Sequence, residues 1–160
     1  MATKAKKPIP DGWHTVTPYL ICKGAGEALD WYKKAFGAEE RFRMAGPGGK
    51  VMHAEMKVGD SIVMMADEFP DMGAKSPASY GGSPVGLHLY VNDCDGVFNR
   101  AVAAGGKAER PLTDQFYGDR SGTIIDPFGH KWTIATHVED VSPEEMKQRE
   151  AEWMAKQGKK

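Results

Sequence analysis

His53 and Glu55 stand two residues apart, so on an extended chain both side chains leave the same face. An imidazole and a carboxylate so placed suit a polar cluster on a sheet. With a third donor they would suit a divalent metal ion, and His88 is the donor that reading needs. His88 and Tyr90 repeat the two-residue spacing, and Tyr19 takes the matching place in an earlier segment. Such a face could orient a small molecule, and His88 could act as a general base near neutral pH; equally, the rings could simply fill a cavity. In Phe116-Tyr117-Gly118-Asp119-Arg120, Tyr117 offers a stacking ring and Arg120 a planar fork for an acidic ligand group. Arg120 could instead pair with Asp119 or Asp126 and brace a hairpin. Met52, Met56, Met64 and Met65 offer adaptable apolar surface, as pocket wall or as core. His130 reads as a turn residue, Trp132 as core, and His137 as the end of a strand.

The elements that must carry these residues occur twice. From Thr15, the apolar residues Val16, Tyr19, Leu20 and Ile21 suggest a strand ending at Gly24 and Gly26. Ala25, Ala28, Leu29, Tyr32, Ala35 and Phe36 then recur at steps of three and four, an amphipathic helix that Gly37 can terminate. Three strands are expected next, over Glu39 to Met44, Val51 to Val58 and Ser61 to Ala66. The turns between them are Ala45-Gly46-Pro47-Gly48 and Gly59-Asp60.

After a loop rich in Gly, Pro and Ser the order returns. Leu87 to Val91 alternates as a strand, Asp93 can cap a helix bearing Val97, Phe98, Ala101 and Val102, and Gly105-Gly106 ends it. Strands follow over Ala108 to Leu112, Gly122 to Asp126 and Lys131 to His137. Gly37-Ala38-Glu39-Glu40-Arg41 faces Gly106-Lys107-Ala108-Glu109-Arg110, and Gly59-Asp60 faces Gly129-His130, in nearly the same register.

The fold class is therefore α+β, with paired β-α-β-β-β modules forming a cupped mixed sheet around a cavity at the repeat interface. The expected organisation is a solvated tail over 1–14, a first module over 15–67, a linker over 68–84 and a second module over 85–138. Ser142, Pro143 and Glu145 open a C-terminal helix over 142–156.

Composition narrows the function classes. A formal net charge of -1 gives no reason to invoke nucleic acid or an anionic membrane, and the apolar runs are only strand-length. Two cysteines, Cys22 and Cys94, lack the spacing of a disulfide framework or zinc knuckle, which suits reduced thiols in a cytoplasmic protein. No Walker-type loop is present. Gly24-Ala25-Gly26 lacks the third glycine of a dinucleotide fingerprint, and Gly81-Gly82-Ser83 lies in a turn-rich loop rather than a nucleophile elbow.

Pro18-Tyr19-Leu20, Trp31-Tyr32-Lys33-Lys34-Ala35-Phe36-Gly37 and Asp126-Pro127-Phe128-Gly129-His130-Lys131-Trp132 resemble the vicinal oxygen chelate superfamily of glyoxalase I, bleomycin-resistance proteins and extradiol dioxygenases. His53-Ala54, leading into Gly59 to Met65, resembles its PhnB-like branch. The resemblance implies paired modules, dimers and, in the enzymes, a divalent metal held by His, Gln or Glu. The corresponding positions here are Thr17, Val63 (Met64 if the register slips), Gly86 and Thr133. None is a strong ligand for a divalent cation.

The expectation is thus a homodimeric small-molecule-binding protein with no cofactor and without the usual metal site. Its ligand would rest on Tyr19, Met65, His88, Tyr90, Tyr117 and Arg120. The alternative is a metal-dependent lyase, isomerase or dioxygenase with ligands relocated to His53, Glu55 and His88.

Overall fold

The computed structural model describes residues 1–157. The chain divides into two compact units, the first being Met1–Gly82 and the second beginning at Ser83. Each contains one β-α-β-β-β module.

In the first unit β1 (Tyr19–Cys22) leads through α1 (Ala25–Phe36) to β2 (Glu39–Ala45), β3 (Val51–Val58) and β4 (Ser61–Asp67). The strand order is β1-β4-β3-β2, with β1 parallel to β4 and the remaining pairs antiparallel. Gly37 ends α1 at φ 68°, a left-handed conformation that costs a residue without Cβ little. Its backbone N–H donates to the Lys33 carbonyl.

The N-terminus of α1 is tied down by Asp67, the last residue of β4. One oxygen of Asp67 accepts from the N–H groups of Gly24 and Ala25, both at 2.9 Å. The other accepts from Val51 N–H at 2.7 Å. A single buried carboxylate thus joins helix start, β3 and β4.

Strand register decides which residues α1 covers. Ala54 pairs with Met65 and Met56 with Val63, and all four are buried beneath the helix. Their alternating neighbours lie on the face without a helix. Thr15 to Pro18, expected to begin the first strand, precede it instead. Pro18 has no N–H to give a ladder, although its carbonyl accepts from Met64 N–H. The connection after β4 holds the short helix α2 (Pro77–Tyr80), at whose start Glu68 accepts from Ser76 N–H and Ser79 Oγ.

The second unit repeats the plan with β5 (Gly86–Tyr90), α3 (Cys94–Ala103), β6 (Lys107–Asp114), β7 (Asp119–Ile125) and β8 (Lys131–His137), in the order β5-β8-β7-β6. Asp93 caps α3 by accepting from Gly96 N–H at 3.0 Å. A Cβ at Gly122 would stand 2.7 Å from the Phe98 ring, so only glycine lets α3 settle onto β7. The expected strand 122–126 begins earlier, because Arg120 and Ser121 pair with Asp114 and Thr113. Those partners extend β6 past Pro111, which this edge strand accommodates at a register shift.

The Asp126-Pro-Phe-Gly-His turn is held by its aspartate. Asp126 accepts from the N–H groups of Phe128 and His130 and from Trp132 Nε1, each at 2.9 Å. Its turn histidine and core tryptophan are both buried. Helix α4 (Pro143–Gln157) closes the described chain. Arg149 holds it, donating to Glu139, Glu145 and the Phe116 carbonyl, and Trp153 meets the Phe116 ring at 5.5 Å. No helix is long and apolar enough to cross a membrane among the described residues.

Candidate functional site

The helix-free face of the first sheet carries one transverse row with a residue from every strand. Tyr19 pairs with Met64, Met64 with Glu55, and Glu55 with Phe42. His53 lies beside this row, its ring 5.5 Å from Tyr19 and 6.1 Å from Phe42. The Tyr19 hydroxyl and His53 Nδ1 are hydrogen-bonded at 2.8 Å. Burial pushes the Tyr19 phenol up, which keeps it a donor. In the tautomer that accepts at Nδ1, the other ring nitrogen carries its hydrogen towards Glu55, 3.5 Å away. Tyrosine, histidine and glutamate form a directed chain with a carboxylate at its end.

A cavity of about 530 Å³ opens over Glu55 and Met64. Its other wall is the N-terminal segment, which supplies Ile9, Trp13, His14 and Thr15 together with two prolines. Residues 1–12 are exposed and Trp13 is half-buried, and the segment walls a pocket. Trp13 and His14 are functional candidates that the sequence reading passed over. The available signal was a tryptophan standing in an otherwise polar, lysine-rich tail.

On the helix-free face of the second sheet, His88 pairs with Thr133, Thr133 with Thr123, and Tyr90 with Ala135. The His88 and Tyr90 rings lie 4.7 Å apart. Tyr90 Oη donates to Asp119 at 2.7 Å, and the other oxygen of this buried carboxylate meets His137 Nδ1 at 2.7 Å. His137 Nε2 reaches Asp140 at 3.0 Å. Burial works against the Asp119 charge, but the hydrogen bonds from Tyr90 and His137 outweigh it and hold the carboxyl below its usual range. Hydrogen bonds to Asp140 and Asp119 in turn raise the His137 imidazole. The Asp119 bond raises the Tyr90 phenol.

The expected ligand set divides between faces. Tyr19 lies on the helix-free face of its sheet, and His88 and Tyr90 on that of theirs. Tyr117 sits in the turn between β6 and β7, its ring edge-on to Phe116 at 5.3 Å. Met65 is fully buried under α1. Arg120 alternates with Asp119 onto the α3 side, where it donates to both oxygens of Asp95 at 2.7 and 2.8 Å and to Asp114 at 3.1 Å. Neither Asp119 nor Asp126 is its partner, because strand alternation turns Arg120 away from the one and Trp132 and backbone groups occupy the other.

The four positions that the resemblance gives for metal ligands carry no strong donor. Thr17 precedes β1, Val63 is core, Gly86 has no side chain, and Thr133 Oγ1 is hydrogen-bonded to Thr123 Oγ1 at 3.0 Å. Met64, on the open face, offers a thioether, a poor donor to hard or borderline cations. Among the described residues no three His, Cys, Asp or Glu side chains are grouped to hold a metal ion.

Comparison with known proteins places this geometry. The family model for the glyoxalase/bleomycin resistance protein/dioxygenase superfamily matches residues 14–134. The chain belongs to that superfamily. An uncharacterized protein of Mycobacterium tuberculosis strain H37Rv is 43% identical to this superfamily member over 134 residues, covering 82% of this chain and 79% of the relative. TioX from Micromonospora sp. ML1 superposes with a TM-score of 0.62 at 28% identity, over 78% of this chain and 99% of its own. The PhnB protein from Bacillus cereus shares the fold, with a TM-score of 0.60 at 21% identity over 77% of this chain and 99% of its own.

Proposed function

We propose that this glyoxalase-superfamily member is a small-molecule-binding protein that works without a resident divalent metal, and that it does so as a homodimer. The observation that carries the reading is the open pocket over Glu55 and Met64, walled by Trp13 and its neighbours. It combines apolar and aromatic surface with a few polar groups at fixed positions, which is how small-molecule sites are usually lined. The His88–Tyr90 pair gives the second sheet a similar surface. Imidazole and phenol groups already committed to one another keep their orientation, so a ligand meets a preorganised face.

A thermal-shift panel of cationic, neutral and anionic aromatic amphiphiles on the full chain tests this. Binding to the folded state raises Tm by mass action. The expected result is a dose-dependent rise for at least one class, weakened about tenfold in affinity by Trp13→Ala, an effect of the size expected for one lost aromatic contact. A flat panel across all classes overturns the reading. Elemental analysis of untagged protein purified without chelator is expected to find metal far below one equivalent per chain. Near-stoichiometric zinc, nickel, iron or manganese would overturn the metal-free assignment.

A further inference from the structure

Resting on that reading, we infer that the pocket walled by the N-terminal segment selects an organic cation: an ammonium group carried on an apolar or aromatic body. Glu55 decides the charge. Its carboxylate is only about one-fifth exposed, at the floor of the cavity, and its single polar contact among the described residues is His53 Nε2 at 3.5 Å. That distance is at the outer limit of a hydrogen bond and leaves most of the acceptor capacity of the carboxylate unused.

No lysine or arginine pairs with Glu55 among the described residues. The cation of the overlying segment closest in sequence to the pocket wall is Lys7, and it is committed to Asp11 at 2.7 Å. Arg43 of the neighbouring strand pairs with Ala54 on the α1 side of the sheet and is committed there to Glu40, with its Nε at 2.9 Å. A partly dehydrated carboxylate without a counter-charge favours a ligand that brings one, through a charge-assisted hydrogen bond.

The walls decide the body. Ile9, Trp13 and Met64 are apolar or aromatic, and an indole face attracts a cation as well as packing against a hydrocarbon. His14 adds a second polar group at the rim. About 530 Å³ falls within the range of drug-sized ligand sites. An anionic ligand would have to approach Glu55 against like charge, and a purely apolar one would bury the carboxylate unpaired.

The test uses three probes that share one body, 4-phenylbutylamine, 4-phenylbutanol and 4-phenylbutanoate, titrated calorimetrically into the full chain. The amine is expected to bind about tenfold or more tightly than the other two, the size of one charge-assisted hydrogen bond. Glu55→Gln is close in size and should erase that preference, bringing the amine down about tenfold to the level of the alcohol. Trp13→Ala should weaken all three. Unchanged thermal melts of both variants show that they fold. If the alcohol or the butanoate binds as tightly as the amine, the cation assignment fails while small-molecule binding stands. An amine preference that survives Glu55→Gln, or binding untouched by Trp13→Ala, removes this pocket as the site. Absence of binding by all three overturns the inference, and the broader panel then judges the underlying function on its own.

Discussion

His137 shows how much a residue's meaning depends on partners that sequence does not reveal. As a lone histidine at a strand end it has no visible role. In the structure it stands between Asp119 and Asp140 and completes a chain that begins at Tyr90. Strand alternation made the shared face of His88 and Tyr90 legible, and it also made His53 and Glu55 legible. It could equally have assigned Met65 and Arg120 to the helix side, had the phase of each strand been fixed by a buried partner. The raised imidazole of His137 gives a prediction with a definite sign. Its folded pKa lies above the ordinary value of 6.5, so its contribution to stability is complete below about that pH and fades as pH rises through the folded value. His137→Gln keeps hydrogen-bonding capacity but cannot titrate. The Tm advantage of wild type over this variant should therefore shrink as pH is raised from 6 towards 9 in roughly unit steps around the range where histidine titrates. A difference that stays constant across that range would show that the charge on His137 contributes nothing.

At the scale of elements, helices and turns were the most legible because their signals are local. Gly37 and Asp93 terminate and cap helices as their chemistry suggests, and the Asp126 turn organises itself through its own side chain. Asp67 was illegible for the opposite reason. It binds backbone groups 16 to 43 positions earlier, and its counterpart in the second module is a threonine. There Thr136 Oγ1 accepts from Cys94 N–H and donates to the Val91 carbonyl. Different chemistry performs one task at equivalent places, so a repeat search keyed to matching residues passes over both. Removing the carboxylate leaves three backbone donors to be satisfied at the buried junction of α1, β3 and β4. Asp67→Ala should cost about 3 kcal/mol, several unsatisfied donors offset by some entry of water. Asp67→Asn, which keeps one acceptor oxygen, should cost less. Urea unfolding checks the order; equal midpoints for wild type and Asp67→Ala would remove the carboxylate from the account of the helix start.

For the whole molecule, the repeat was legible because the two modules share an order of elements and nearly one register, and each sheet came out with the same strand arrangement. The N-terminal segment was not, since nothing periodic marks a stretch of prolines, lysines and one tryptophan as a pocket wall. What the repeat leaves over is apolar surface on the helix-free faces. Tyr19, Phe42 and Met44 are each about half exposed on the first, and Tyr90 is 62% exposed on the second. A ligand that fills the pocket over Glu55 and Met64 reaches only part of that area. Aromatic surface gathered in this way marks association in soluble proteins, and a second copy brings the same surface to meet it. Formal charge gives little opposition, at -1 per chain. Sedimentation equilibrium of the full chain at micromolar concentration should return twice the 17.5 kDa chain mass, with a Tm that rises with protein concentration as mass action requires. Phe42→Lys places a charge on that surface with the core beneath α1 untouched, and should shift the population toward single chains. A monomer throughout, with Tm independent of concentration, would leave these aromatics to the ligand alone and remove the dimer from the proposed function.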